Sequence, residues 1–155
     1  MELKVIEFPN RTLCVYKNED RIYYSNVKFK WGRRKVAEIF NDQNVKLLEV
    51  GYHGFFSEKF KITFQYENLQ TKILAINNSR FILENNLIIE RKASFFNITN
   101  SKFSYFYNNH QIGNSKVINW VDTKKYTLDF RADELEIFEL FIILILTYET
   151  GYSPE

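Results

Sequence analysis

Cysteine is nearly absent from this chain. Cys14 is the one thiol in 155 residues, so no disulfide within the chain can staple the fold. Proline is almost as scarce: Pro9 and Pro154 lie near the two ends, and no strand between them loses a backbone donor to the imino ring. Five glycines exclude collagenous or linker-like character, and no phosphate-cradling or dinucleotide glycine pattern occurs. A surplus of one charge is missing too. With 21 Lys and Arg against 19 Asp and Glu the net charge is +2, too balanced for a nucleic-acid binder driven by total charge, so no nucleic acid is expected as a partner. The longest apolar run, around Phe141 to Leu146, falls far short of the ~20 residues that cross a bilayer. The opening segment Met1-Glu2-Leu3-Lys4-Val5-Ile6-Glu7 alternates charge with apolar residues and lacks a signal peptide's apolar core. A cytoplasmic location is therefore expected, and the sequons at Asn77-Asn78-Ser79 and Asn97-Ile98-Thr99 read as chance products of Asn-rich sequence.

What the chain does have is apolar and aromatic bulk. It is 45% hydrophobic and carries 15 Phe and 10 Tyr, ring-bearing residues that favour a pleated, half-buried surface. The length suits one domain spanning 1–155 with a sizeable core. Short apolar runs recur about every 8 to 12 residues between Asn, Asp and Gly pairs, the spacing of antiparallel strands in a sandwich or barrel. The expected strands cover 13–16, 22–24, 27–31, 36–40, 45–50, 61–66, 72–76, 81–83, 87–90, 103–107, 117–121 and 126–130. Residues 37–48 parallel 63–74 at an offset of 26, each reading strand, polar turn, strand; a hairpin unit and a plain meander both account for this. Asn108-Asn109 marks a further tip, since paired Asn tolerates the left-handed backbone of a tight turn.

The end of the chain breaks the alternation. From Leu135 to Leu146 the sequence is apolar on nearly every helical face, so a helix here must be buried all round. Asp133 offers an N-terminal cap with Glu136 three residues on. At 1.5 Å per residue the helix from 133 to 148 spans roughly 24 Å, the height of a barrel of six- or seven-residue strands. Its isoleucine content also fits a fully buried strand.

Lys125-Tyr126-Thr127-Leu128-Asp129-Phe130-Arg131-Ala132-Asp133-Glu134, running straight into the apolar segment, resembles the last strand, acidic turn and threading helix of the tubby C-terminal, LURP-one-related and scramblase-like superfamily. Residues 105–113 are similar to that family's preceding hairpin, and the similarity covers roughly 100–150, loosening before that. The resemblance implies a mainly β fold, an antiparallel barrel of about 12 strands closing around a buried hydrophobic C-terminal helix. It implies no enzyme activity and no cofactor, and it points either to phosphoinositide headgroups bound through basic side chains, as in tubby-type members, or to the unassigned role of many LURP-one-like members. The chain departs from scramblases in lacking a Cys-rich palmitoylation stretch, a calcium-binding carboxylate cluster and a membrane span.

The densest basic cluster is Lys28-Phe29-Lys30-Trp31-Gly32-Arg33-Arg34-Lys35. In a strand over 27–31, Lys28 and Lys30 share one face while Phe29 and Trp31 turn toward the core, and Gly32 turns the chain so that Arg33, Arg34 and Lys35 extend the charge outward. Such a patch suits phosphate, Arg as a bidentate fork and Lys as a point charge. The plainer reading is a hairpin edge guarded against aggregation by its cations. Elsewhere little chemistry is promised. Cys14 sits in an alternating run as a small core residue, His110 in a turn and His53 in a glycine-flanked loop, with no metal-ligand spacing. Asp133, Glu134, Glu136 and Glu139 fit helix entry. The aromatic groups Tyr23-Tyr24, Tyr52-His53-Gly54-Phe55-Phe56 and Phe95-Phe96 put neighbouring rings on opposite faces of a strand. Each either exposes a ring suited to docking a protein partner or entering a membrane interface, or is covered by a barrel mouth or loop. Together these readings give a non-enzymatic module with no catalytic residue, metal or cofactor. Its anion patch is Lys28, Lys30, Arg33, Arg34 and Lys35, its partner an anionic membrane surface; the alternative is a protein-interaction domain, adaptor or inhibitor, for a protein partner.

Overall fold

The structure, a computed structural model, describes residues 1–31, 33–54, 59–93, 101–119, 125–131, 133 and 135–151. Twelve strands precede one helix. They are β1 (Glu2–Glu7), β2 (Leu13–Lys17), β3 (Asp20–Lys30), β4 (Arg33–Asn41), β5 (Lys46–His53), β6 (Lys59–Gln65), β7 (Ile73–Ile76), β8 (Arg80–Leu83), β9 (Ile88–Ala93), β10 (Ser101–Tyr107), β11 (His110–Asn119) and β12 (Lys125–Phe130). The helix is α1 (Leu135–Glu149). The strands pair antiparallel in one sheet, in the order β6-β5-β4-β3-β2-β1-β12-β11-β10-β9-β8-β7, and curl into a nearly closed barrel around α1. The expected fold class is therefore the one the chain adopts.

Alternation decides which face of each strand lines the barrel. Leu3 and Val5 of β1, Leu13 and Val15 of β2, and Tyr126, Leu128 and Phe130 of β12 all join the interior cluster. The tight ends are left-handed at Asn: Asn18 has φ 57°, Asn44 61°, Asn108 44° and Asn109 66°. Inside, α1 is buried at Ile137 and at every residue from Leu140 to Glu149, while Leu135 stays 81% exposed at the entry mouth. Phe141 meets Tyr105 edge-on at 5.0 Å and Phe130 at 5.1 Å. Where that ring reaches the wall, Gly113 leaves no room for a side chain: a Cβ would lie 2.4 Å from the Asp129 carbonyl and 3.1 Å from the Phe141 ring.

The sheet order places β6 and β7 at its two edges, although they are neighbours in sequence. The Gln65 side chain bridges them. Its Nε2 donates to the Ile73 carbonyl at 3.2 Å and its Oε1 accepts from the Ile73 N–H at 2.7 Å, imitating one rung of a ladder. Farther along the seam, Tyr148 of α1 packs on Phe60 at 5.6 Å and donates its hydroxyl to the carbonyls of Asn77 and Arg80. The internal repeat thus forms a paired hairpin over 37–48, whereas its second copy, 63–74, is where the sheet opens.

Expected boundaries change in several places, and β11 begins at His110 instead of at 117. The runs 22–24 and 27–31 are one strand, β3, because buried Ser25 faces inward to the Thr150 hydroxyl at 2.6 Å instead of marking a turn. β1, absent from the expected runs, pairs with β2 and β12. The far end of the run 117–121, the sequon at 97–99 and the doublets at 55–56 and 95–96 lie outside the described residues.

Replacing Leu144, fully buried at the centre of α1, by Asp should abolish the cooperative thermal transition, since an unpaired carboxylate would enter an apolar interior. Leu135→Asp at the exposed mouth should shift stability by less than about 0.5 kcal/mol, and equal melting of the two variants would contradict the buried-helix architecture.

Candidate functional site: a basic mouth with an exposed tryptophan

The mouth where α1 ends has a polar interior. The last turn of α1 contains no basic residue of its own, so donors for its carbonyl end come from the walls. Arg34 of β4 donates through Nη1 to the Thr150 carbonyl at 3.1 Å, with its guanidinium 5.6 Å from the Phe60 ring. Arg91 of β9 donates to Glu149 Oε1 at 2.9 Å and lies 4.1 Å over the Tyr148 ring. The Thr147 and Thr150 hydroxyls return to the carbonyls of Ile143 and Leu146. Because the Thr150 proton is committed to Leu146, Ser25 is the donor in the Ser25–Thr150 contact. Gly151 then ends the helix at φ 74°, where a Cβ would come within 2.8 Å of Val27. Burial pushes the phenols of Tyr105, Tyr126 and Tyr148 upward, and the Glu149 carboxylate adds to this at Tyr105 and Tyr126.

The β3–β4 hairpin rises past this mouth, and its geometry corrects part of the sequence reading. Lys28 and Lys30 share the outer face and Phe29 the inner one, as expected. The register, however, shifts between Lys28↔Val36 and Phe29↔Arg34, which makes Lys35 the unpaired residue of a bulge. One extra residue inverts the parity beyond it. Arg34, expected to face solvent with the other cations, therefore turns inward, 7% exposed, and serves the helix end. Phe29 remains 44% exposed because the hairpin has outrun the core there, its ring meeting only the level of Gly151. Trp31, expected in the core, occupies the turn at φ 54° and is 92% exposed.

Around this hairpin opens a cleft of about 730 Å³. Lys30, Trp31, Arg33 and Lys35 line it from the hairpin, buried Arg34 reaches it, and Tyr52 and His53 close it from the end of β5. The site thus gathers four of the five candidate cations. Lys28 lies outside on the barrel wall, 3.4 Å from Glu38, which also holds Lys46 at 2.8 Å. Hydrogen bonds from Lys46 and Thr63 keep the neighbouring Glu49 carboxyl below the usual range. Sequence reasoning left Tyr52 and His53 out of the site. The signal available was topological: in a meander the end of β5 stands beside the start of β4, here as Gly51↔Val36.

Other candidate groups are dispersed. Cys14 is buried, yet on the outer side of β2 under Tyr16 and Arg21 instead of in the core; burial raises its thiol pKa and keeps it protonated. His110 begins β11 at the exposed tip, its Nδ1 3.1 Å from the Asn108 carbonyl. At the opposite mouth Glu139 accepts from the Tyr23 hydroxyl at 3.4 Å, and burial raises its carboxyl. Asp133 is exposed, and position 134, which directly precedes α1, lies outside the described residues. In the first doublet Tyr23 points in, against Phe138, while Tyr24 points out, stacked on Phe40 at 5.0 Å beneath Arg21. Among the described residues no group of three His, Cys, Asp or Glu side chains could hold a metal ion, and no helix is long and apolar enough to cross a membrane.

No protein-family model, curated protein or solved structure matches the chain.

Arg34 and Lys35 are adjacent cations with opposite roles. Arg34→Ala should lower stability in a denaturant titration by about 2–3 kcal/mol, because it orphans a buried carbonyl. Lys35→Ala should stay within about 0.5 kcal/mol. Equal losses would refute the bulge assignment.

Proposed function

We propose that the protein is a non-enzymatic binding module that recognises anionic phospholipid, phosphoinositide headgroups included, through the basic cleft beside the β3–β4 hairpin. The observation that carries this reading is the placement of Lys30, Arg33 and Lys35 around an open cleft. Among the described residues neither Lys30 nor Lys35 has a carboxylate within ion-pair distance. Phosphate is the ligand such a set suits, since Arg offers a fork and Lys a compact charge. Near an anionic membrane each basic residue contributes about 1 kcal/mol. The tubby-like resemblance read at 125–148 supports the same reading, and a cytoplasmic location peripheral to a membrane belongs to the proposal. The absence of turnover is proposed from the dispersed candidates, with the one thiol buried and protonated. A second reading, a protein-interaction domain, is favoured by exposed Phe64 on β6 and Leu74 on β7, the two sheet edges.

Sedimentation with vesicles should show binding that requires anionic lipid. It should weaken as salt rises from 0.1 M to 1 M and the Debye length falls from about 10 Å to 3 Å. Arg33→Glu with Lys35→Glu should remove the binding and leave the melting temperature unchanged, Arg34 being spared because it holds the helix. Sedimentation of this variant at wild-type levels would overturn the proposal.

A further inference from the structure

We infer that Trp31 is the membrane anchor of this mouth: its indole enters the boundary between headgroups and acyl chains of an anionic bilayer, with the α1 C-terminal end of the barrel facing the surface. The inference rests on the proposed function and adds the docking residue and the orientation. Its first support is placement. β3 and β4, at 11 and 9 residues, carry the hairpin beyond the end of α1. The Phe29 ring comes level with Gly151, and Trp31, two residues on in the turn beyond the end of β3, is 92% exposed.

The second support is cost. A 92%-exposed tryptophan at φ 54° combines a large apolar surface in water with a backbone conformation that bulky side chains rarely adopt. The fold itself does not require that residue there. Other tight ends of the same barrel meet the left-handed backbone with Asn18, Asn44, Asn108 and Asn109. Tryptophan is the side chain that prefers the membrane–water interface, where its ring is buried and its N–H stays wet.

The third support is charge. Among the described residues at the rim around α1's end stand Lys30, Arg33, Lys35, Lys59 and Arg80, at strand ends or turns and exposed. The turns and strand ends of the opposite mouth mix signs, with exposed Glu19, Asp20, Asp42, Glu67 and Asp133 beside exposed Lys17, Arg21, Lys72 and Arg131. The excess of cations at the first mouth, against mixed signs at the other, turns that mouth toward an anionic plane. A bilayer fits better than a protein pocket. The ring's near neighbours on the hairpin are the cations Lys30 and Arg33, whereas a protein hot spot is ringed by contacts that exclude water.

The test uses the Trp120→Phe protein, in which Trp31 is the remaining tryptophan and is excited selectively at wavelengths beyond tyrosine absorption. Vesicles containing phosphatidylserine and a phosphoinositide should move its emission to the blue, and brominated acyl chains should quench it. Neutral phosphatidylcholine vesicles should do neither. Inositol hexakisphosphate, which offers phosphate without acyl chains, should leave the emission unshifted. Trp31→Ala should weaken sedimentation about tenfold. Lys59→Glu with Arg80→Glu should also weaken it, while Lys17→Glu with Lys72→Glu at the opposite mouth should not. Sedimentation without an emission shift or quenching overturns the anchor and leaves the lipid reading standing. A shift with the soluble phosphate alone, or equal binding of both charge variants, overturns the orientation. Absence of sedimentation with every vesicle overturns both readings and favours a protein partner.

Discussion

A helix without a polar face has no side that can rest against water, and α1 imposes that condition on the whole chain. From Leu140 to Tyr148 its side chains are apolar apart from Thr147, whose hydroxyl is absorbed by the Ile143 carbonyl. Each buried Leu, Ile or Phe contributes roughly 1.5–3 kcal/mol, but only inside a complete enclosure. An eight-stranded barrel is filled by its own side chains, whereas a helix with its side chains is about 10–12 Å across. Twelve strands give the extra girth. Where wall and helix come closest the sequence supplies Gly113, which sets the position of Phe141 against the wall.

Enclosing a helix also encloses its carbonyl end, and that determines the character of one mouth. Negative partial charge gathers at the C-terminus of α1, where the terminal carboxylate side chain of Glu149 adds a full charge. Arg34 and Arg91 answer both, one on the Thr150 carbonyl and one on Glu149. Cations at this mouth therefore fall into two kinds. Those turned inward are consumed by the fold, and those on the hairpin and rim are in excess of what the helix needs. The bulge at Lys35 is the device that divides them, since it sends Arg34 in and leaves its neighbour out.

Strand rhythm, Asn tips and the all-round apolar segment were legible because each follows from local physics: period two, left-handed tolerance and the absence of a polar face. What escaped depended on partners distant in sequence. Ser25 reads as a turn residue until Thr150, 125 positions away, supplies its hydrogen bond. The segment 1–7 reads only as an alternation of charged and apolar residues until β2 and β12 flank it as a strand. In the candidate site the cationic cluster was visible as composition. The inward turn of Arg34 was not, because a bulge shifts parity without any mark in the residues that form it. Neither was the outward place of Trp31, because the strand ends before it and the residue sits in a left-handed turn.

The position of the barrel's opening follows from the same helix. Because α1 enters directly after β12, the strand beside it must seal early in the wall, and β12 does so by pairing with β1 on one side and β11 on the other. The break then falls on the far side, between β6 and β7, where the chain is already joined by a short connection and the edges stay together for little entropy. Two side chains complete the closure: Gln65 replaces a missing rung near the connection, and Tyr148 of α1 fills the widening gap and bonds the β7–β8 turn. Lys59 and Lys61 on β6, with the brevity of four-residue β7, discourage pairing with other chains along the remaining edges. The helix is thus both the content of the barrel and part of its wall, and β3 and β4, which enclose it through Tyr23, Ser25 and Arg34, also carry the hairpin turn at Trp31 beyond its end.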